Sequence, residues 1–266
     1  MNDEKDVIVD PQIWRRNHLN LQEEISLAAL GEFIGTFFFL YFGYAGNMMA
    51  IRQSPFPQVN GGFASTTDIW IAMSYGFSFL VNDWAFYRIS GGLFNPAVTL
   101  GLWLSGQLPW LRAVFLVPAQ ILGSMCAAGL VDVMFPGSVA QANTILGNST
   151  SIAKGLFLEM FFTAQLVFVV LMLAAEKSRD TFMAPIGIGL ALFVILIPGV
   201  DVTGGSVNPV RSFGCAVAGT DFPGYHWIYW LGPAPGATLA AGFYRLVKRL
   251  HYEEANPGQD ASNGDV

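Results

Sequence analysis

The stretch TGGSVNPVRSFG (203–214) decides the fold, because it interrupts an apolar chain with two glycines, an Asn-Pro pair and an arginine. A second stretch, SGGLFNPAVTLG (90–101), repeats the Gly-Gly, the Asn-Pro and the closing glycine in the same register. Glycine permits a sharp turn, asparagine is a favoured helix N-cap, and proline is favoured at the first helical position. Too few apolar residues follow either Asn-Pro pair for a helix to cross a membrane. Each stretch is therefore predicted to form a re-entrant half-helix.

The chain around these stretches has the composition of a membrane protein. Of its 266 residues, 53% are hydrophobic and 12% are charged, whereas charged residues make up about a quarter of an average soluble protein. The mean hydropathy is +0.47. The formal net charge of −6 argues against nucleic acid as a partner, because nucleic-acid-binding proteins are usually basic. We therefore expect an integral, multi-pass protein surrounded by membrane lipid.

Six apolar segments reach the length of about 20 residues that a membrane helix needs. They cover residues 25–51, 69–88, 108–135, 155–175, 182–200 and 227–250. Non-helical backbone at membrane depth is tolerated only inside protein or beside a water-filled cavity, so the two half-helices indicate a cavity. The predicted fold class is an all-α membrane protein with six transmembrane helices and two re-entrant half-helices.

The two halves of the chain are predicted to be inverted repeats, at about 25–135 and 155–250. EFIGT (32–36) in the first segment matches EMFFT (159–163) in the fourth, with Glu and Thr at corresponding places. Three segments per half reverse the orientation of the second half, and many transport proteins build a midplane site where such halves meet.

Four carboxylates in or near the apolar segments need an interpretation. Burying an isolated charge is costly, so Glu32 and Glu159 are expected to accept hydrogen bonds from backbone N–H groups of the re-entrant loops. The alternative is proton coupling, as in a secondary transporter. Asp83 and Asp132 fall near helix ends and are expected to be solvated.

The basic residues indicate the orientation in the membrane. With the N-terminus inside, all of the 13 Lys and Arg residues except Arg52, Lys154 and Arg211 fall on the cytoplasmic side, where Lys and Arg are in excess. Both termini are then cytoplasmic. Asn148 begins an Asn-Ser-Thr glycosylation pattern in a loop that this orientation places outside.

An enzyme is disfavoured by the arrangement of the polar residues. The three histidines, His18, His226 and His251, are scattered over a tail, a loop and a helix end. No Ser-His or carboxylate–metal grouping suggests a hydrolase. We expect no cofactor and no metal.

Several motifs in combination resemble the aquaporin (major intrinsic protein) family. They are the two Asn-Pro boxes, the helix-start glutamates, PAQILGS (118–124) and HWIYWLGPAPGA (226–237). The resemblance covers about residues 28–250, and the loops and tails look more like a fungal member than an animal one. It implies a passive water channel that excludes protons and ions, with one pore per subunit of a homotetramer. The plasma membrane is the expected location.

The resemblance also assigns residues to the pore. The boxes Asn95-Pro96-Ala97 and Asn208-Pro209-Val210 would lie at its centre, where the positive half-helix N-termini repel cations and the asparagine N–H groups donate to water. The resemblance implies a narrowest constriction, or selectivity filter, formed by Tyr75, Leu196, Gly205 and Arg211. Glu32 and Glu159 would hold these loops in place by accepting hydrogen bonds from them.

Some positions depart from the pattern of water-selective members. These usually have His where Leu196 stands, and relatives often have His at Leu93 and Ala at Val210. Glycerol-conducting relatives typically have Asp where Ser212 stands and a Pro-Leu pair where Tyr229 and Trp230 stand. We expect a water channel with a less polar filter. The alternative is a channel for glycerol or for other small uncharged solutes, such as hydrogen peroxide or ammonia.

The expected domain organisation has three parts. Residues 1–24 form a cytoplasmic N-terminal tail, residues 25–250 form the channel domain, and residues 251–266 form a cytoplasmic C-terminal tail.

Overall fold

The computed structural model describes residues 20–54, 65–176, 178 and 181–255. All regular structure in these residues is helical. Most of the two predicted tails, at 1–19 and 256–266, lies outside the described residues.

The helices follow the predicted order. They are α1 (Leu21–Arg52), α2 (Ser65–Phe86), α3 (Pro96–Ser105), α4 (Trp110–Met134), α5 (Ile152–Val170), α6 (Ala184–Thr203), α7 (Pro209–Ala218), α8 (Ile228–Leu231), α9 (Pro233–Arg249) and α10 (Tyr252–Ala255). A π-helical turn, Leu171–Ala175, extends α5. Short 3-10 turns precede α5 and α6 at Val139–Ala142 and Thr181–Met183.

These helices confirm the predicted fold class. Four segments of the described chain are long and apolar enough to cross a membrane: α1, α4, α5 with its π turn, and Thr181–Thr203, which contains α6. Helix α2 and the pair α8–α9 complete the six long elements, and α3 and α7 are the half-helices. Helix α1 begins earlier than the apolar segment suggested, because Asn20 and Glu23 form a capping box.

The packing of the helices has the symmetry of an inverted repeat. Helix α1 packs against α4 as α5 packs against α9. Half-helix α7 of the second half packs against α4, and half-helix α3 of the first half packs against α9. Each half-helix is therefore enclosed by the opposite half of the chain, and the two half-helices meet at their ends.

The outer faces of the long helices carry large apolar side chains. Examples are Phe38 and Phe42 on α1, Val133 on α4, Phe161 on α5 and Leu239 on α9, all of which are exposed. Soluble proteins rarely expose apolar patches of this extent, whereas a bilayer accommodates them.

Helices α1 and α4 touch backbone to backbone at Gly123. A Cβ at this position would lie 2.5 Å from the carbonyl oxygen of Phe33 and 3.2 Å from Cβ of Thr36. Small residues at helix crossings allow this close approach in membranes.

We therefore expect Gly123→Ala to lower the free energy of unfolding by about 1–3 kcal/mol through overpacking. Gly129→Ala is the matched control on α4, because a Cβ there has no neighbour within 4 Å in the described structure. Thermal unfolding of the detergent-purified variants measures the difference. Equal midpoints for the two variants would contradict the close contact.

Candidate functional site

The two half-helices begin at the two asparagines. The Oδ1 atom of Asn95 accepts a hydrogen bond from the N–H of Ala97 at 2.8 Å, and Oδ1 of Asn208 accepts one from the N–H of Val210 at 3.1 Å. Pro96 and Pro209 occupy the first helical positions, where the missing N–H costs nothing.

The same asparagines join the two loops. Nδ2 of Asn95 donates to the carbonyl of Val207, and Nδ2 of Asn208 donates to the carbonyl of Phe94, both at 2.8 Å. Sequence reasoning did not foresee these bonds. An amide NH₂ has two donors, so each asparagine keeps one N–H beyond its bond to the opposite loop. The facing N-termini of α3 and α7 add partial positive charge at the same place.

Both loops turn through left-handed backbone before their asparagine. The φ angles are +49° at Phe94 and +45° at Val207, which is uncommon for any side chain and strained for a β-branched one. The paired glycines before each also have positive φ. The sequence pattern predicted the glycine turns but not the strained residue that follows them.

Glu32 and Glu159 hold these strained loops in place. Glu32 accepts hydrogen bonds from the N–H groups of Leu93 at 3.0 Å and Phe94 at 2.7 Å. Glu159 accepts from the N–H groups of Ser206 at 3.0 Å and Val207 at 2.7 Å. A hydroxyl donates to each carboxylate as well, from Ser90 and Thr203 respectively, and Nε2 of Gln120 also donates to Glu32. Both carboxylates are fully buried, so the loop donors supply the partners that burial requires.

Arg211 is buried next to aromatic rings. Its side chain is 2% exposed, and Nη1 donates to the carbonyl of Ala142 at 2.7 Å. The guanidinium carbon lies 4.6 Å from the centre of the Tyr75 ring, within the range of a cation–π contact. Arg211 makes no ion pair within 4 Å in the part of the chain that the structure describes. Its positive charge therefore remains uncompensated by an adjacent carboxylate.

The four predicted filter positions line one small cavity. We call it the central constriction, and its walls include Tyr75, Leu196, Gly205 and Arg211 together with Asn95 and Asn208. Its volume is about 10 Å³. A Cβ on Gly205 would lie 2.3 Å from Cδ2 of Leu196, so glycine is the residue that leaves this space open.

Four apolar residues that the long helices contribute to the central constriction were not predicted. They are Phe39, Phe79, Leu166 and Leu192. The spacing of Tyr75 and Phe79 places both on one face of α2, which was the one available signal. The other three contribute from α1, α5 and α6, and their positions depend on how those helices pack.

Two wider cavities adjoin the central constriction. The Arg211 vestibule has a volume of about 190 Å³, and its walls include Arg211, Asn47, Asn143 and Asp221. The Asp83 vestibule has a volume of about 280 Å³, and its walls include Phe79, Asp83, Leu93 and Arg112. Arg211 lines both the first vestibule and the constriction, and Phe79 lines both the constriction and the second vestibule. The three cavities are thus neighbours within the helix bundle, with the central constriction between the two vestibules.

The expectation that Asp83 is solvated was wrong. Its side chain is 1% exposed, because α2 packs it against the re-entrant loop, where a Cβ on Gly92 would lie 2.1 Å from Oδ1. Asp132 is partly buried and accepts a hydrogen bond from the N–H of Val139 at 2.7 Å. The predicted glycosylation residue Asn148 is exposed. It lies three residues after Ile145, which is a wall residue of the Arg211 vestibule.

Known proteins share both the sequence and the fold. Residues 21–244 match the family model described as major intrinsic protein. A probable aquaporin-3 of Gibberella zeae is 69% identical over 261 residues, covering 98% of this chain and 91% of the relative. Aquaporin-7 of Botryotinia fuckeliana is 51% identical over 255 residues, covering 94% of this chain and 54% of the relative. Both relatives are fungal, as the resemblance suggested.

A solved structure supports the same fold. The X-ray structure of the aquaglyceroporin from Plasmodium falciparum superposes with a TM-score of 0.70 at 20% sequence identity, covering 84% of this chain and 97% of that one. With the family match over most of its length, the chain belongs to the major intrinsic protein family, whose members are membrane channels and not enzymes.

Proposed function

We propose that this channel conducts water passively and excludes protons and other ions. The central constriction carries the proposal. Its volume of about 10 Å³ is close to the smallest space that holds one water molecule, about 10–15 Å³. Water molecules would therefore pass it in single file, between walls that include the apolar Leu196 and Phe79 and the charged Arg211.

Three sources of positive potential support exclusion of protons. The N-termini of α3 and α7 carry partial positive charge, and Arg211 adds a full charge at the constriction. The remaining N–H donors of Asn95 and Asn208 would orient a central water molecule by its oxygen, which interrupts a chain of hydrogen-bonded waters. Half-helix dipoles and an arginine are general devices for excluding cations from a pore, and aquaporin-type channels are the established example of both.

A second candidate is a channel for glycerol or for another small uncharged solute, such as hydrogen peroxide or ammonia. Leu196 favours it, because leucine brings no hydrogen-bonding group where water-selective relatives usually have histidine. An apolar wall discriminates weakly between small uncharged molecules, whereas a wall with a hydrogen-bonding group rejects those that cannot pair with it.

Stopped-flow light scattering on reconstituted vesicles separates the two candidates. We expect rapid osmotic water flow with glycerol uptake at the rate of protein-free vesicles. Rapid glycerol uptake would establish the second candidate, and water flow equal to that of protein-free vesicles would contradict the proposal.

The contact between Gly205 and Leu196 gives a sharper test. Gly205→Ala is expected to lower water permeability by about tenfold or more, because the added Cβ occupies a space with room for about one water molecule. Combining it with Leu196→Ala should restore much of the flow, since this removes the Cδ2 atom that the new Cβ would meet. Gly106→Ala is the control, because its φ of +87° strains an added side chain as the φ of +60° at Gly205 does, whereas a Cβ there would meet only Nη2 of Arg245, at 3.8 Å. A double variant no faster than Gly205→Ala alone would contradict the steric explanation.

The proposal includes an orientation and a domain organisation. Residues 25–250 form the channel domain, and the tails at 1–24 and 251–266 are cytoplasmic, as the excess of Lys and Arg on that side supports. The Arg211 vestibule then opens to the outside and the Asp83 vestibule to the cytoplasm. Asn148 lies on the outer side, where its exposure permits glycosylation. The family supports a homotetramer, and we place it in the plasma membrane.

A further inference from the structure

One face of helix α1 lies directly behind Tyr75. Asn47 is three residues after Tyr44 and four after Gly43, so all three side-chain positions are on this face. A Cβ on Gly43 would lie 2.5 Å from Cδ1 of Tyr75. The Tyr44 ring stands at 86° to the Tyr75 ring, with 6.3 Å between the ring centres. Neither Gly43 nor Tyr44 lines the central constriction or a vestibule, so they contact Tyr75 from outside these cavities.

Tyr44 fixes α1 against the half-helix that carries Arg211. Tyr44 is fully buried, and its hydroxyl donates to the carbonyl of Arg211 at 2.5 Å. The guanidinium carbon of Arg211 lies 5.9 Å from the centre of the Tyr44 ring. On the neighbouring helix α4, the hydroxyl of Ser124 donates to the carbonyl of Val210. Hydroxyl groups from α1 and α4 thus hold the first turn of α7, which fixes the position of α1 relative to Arg211.

Asn47 connects the same face of α1 to the end of the Tyr75 side chain. Its Nδ2 atom donates to Oη of Tyr75 at 3.3 Å, and the Tyr75 ring centre lies 4.6 Å from the guanidinium carbon of Arg211. A side chain can adopt several staggered rotamers, and a bond at its outermost atom selects one of them. The Tyr75 ring is therefore held at its hydroxyl by Asn47 and at its face by Arg211.

Stability does not explain why an asparagine is present at this position. The Asn47 side chain is 4% exposed, and its Oδ1 atom is buried without a hydrogen-bond partner among the residues that the structure describes. A buried acceptor without a partner costs free energy, whereas replacing both partners of a hydrogen bond with apolar groups can be nearly neutral. An apolar residue would therefore serve packing at least as well. What the amide adds within the described chain is its bond to Tyr75.

We propose that Asn47 is a positioning residue that sets the solute selectivity of the central constriction by holding the Tyr75 ring. Tyr75 is part of the wall of this cavity of about 10 Å³, so each position of the ring gives the cavity a different width. Water passes at any of these widths, whereas a larger solute passes only at the greater ones. A fixed ring therefore restricts solutes more than it restricts water. This inference rests on the proposed water channel.

A double-mutant cycle in reconstituted vesicles tests the role of Asn47, with urea as the solute. We expect Asn47→Leu to raise urea permeability at least about threefold over the unaltered chain, which corresponds to about 0.7 kcal/mol, while water permeability changes by less than about twofold. Tyr75→Phe removes the hydroxyl that Asn47 holds, so it should have the same effect. The double variant should equal either single variant, because residues that act through one shared bond are not additive.

Asn82→Leu is the matched control, since it makes the same substitution at a half-buried asparagine of α2. Asn82 donates to the carbonyl of Ser78 at 2.8 Å and lines neither the constriction nor a vestibule. This variant should keep the urea permeability of the unaltered chain. An equal rise in Asn82→Leu and Asn47→Leu would overturn the proposal.

Thermal unfolding in detergent separates positioning from stability. Asn47→Leu removes the unsatisfied oxygen together with the bond to Tyr75, so its unfolding midpoint should stay the same or rise. A lower midpoint in Asn47→Leu, with a rise in urea permeability that is equally large in the Tyr75→Phe background, would assign Asn47 a packing role and overturn the proposal.

The remaining outcomes distinguish this inference from the proposed function. Unchanged urea permeability in Asn47→Leu would overturn the positioning role. So would an effect that persists in full when Tyr75→Phe is already present, because Asn47 would then act on solutes directly from the Arg211 vestibule, which it borders. Water flow in the unaltered chain equal to that of protein-free vesicles would overturn the channel proposal instead.

Fluorine NMR in detergent then tests the positioning role without any measurement of flow. A ring-fluorinated tyrosine is incorporated in place of Tyr75 in the unaltered chain and in Asn47→Leu. Loss of the bond at the hydroxyl should give the ring more than one position, so we expect a broader or further split signal in Asn47→Leu. Equal signals in the two chains would refute the proposal.

Discussion

Replacing Arg211 with valine is expected to raise proton flux and the uptake of small polar solutes by at least about tenfold, while water permeability changes by less than about twofold. Tenfold corresponds to about 1.4 kcal/mol. Two unit charges about 4 Å apart repel by about 4 kcal/mol at an effective dielectric constant near 20, so loss of the Arg211 charge is sufficient for this effect. Valine is also shorter, which widens a cavity of about 10 Å³.

The measurement uses vesicles with a pH-sensitive dye for protons and light scattering for solutes. Arg211→Lys is the matched control. It keeps the positive charge but loses the planar group that lies 4.6 Å from the Tyr75 ring centre, so it should still exclude protons while admitting more solute. Unchanged proton and solute flux in Arg211→Val would show that another part of the path controls selectivity.

The membrane segments could be predicted from the sequence because their signal is local. Apolar length identifies a membrane helix without knowledge of its neighbours, and all six predicted segments correspond to helices of the structure. The half-helices were predictable for the same reason, since glycine, asparagine and proline act on their own stretch of backbone. The end of α5 was not, because nothing in its residues distinguishes the π-helical turn Leu171–Ala175 from ordinary helix.

The site was predictable only where a motif marks it. Asn95, Asn208 and Arg211 belong to the two repeated stretches, and the structure places them in one cavity. Phe39 lies in an apolar run in which every residue is a candidate for the core, and its position in the constriction depends on the rotation of α1. Asp83 was misjudged for a related reason. Closeness to a helix end suggests solvent, but the re-entrant loop covers that end of α2 at Gly92.

Glu159→Leu is expected to lower the stability more than Gly123→Ala does. The substitution leaves the buried N–H groups of Ser206 and Val207 without an acceptor, and it leaves the hydroxyl of Thr203 with only a long bond of 3.4 Å to the carbonyl of Gly199. Each buried unsatisfied donor costs about 1–3 kcal/mol, so the free energy of unfolding should fall by about 3 kcal/mol or more. Val207 also loses the bond that holds its backbone at a φ of +45°. The loop that carries Arg211 would then lose its fixed position.

Thermal unfolding in detergent and water flow in vesicles test this role together. Glu159→Gln keeps one oxygen acceptor but places an NH₂ group against a loop donor, so it should lose about 1–3 kcal/mol and part of the water flow. Glu254→Gln, at an exposed carboxylate, should match the unaltered chain. If Glu159 instead carried protons, as in a secondary transporter, Glu159→Gln would keep full stability and water flow and would lose a proton-driven uptake. A structural role predicts that stability and water flow both fall from the unaltered chain to Glu159→Gln and fall further in Glu159→Leu. That result would assign the carboxylate to holding the loop and not to proton transfer.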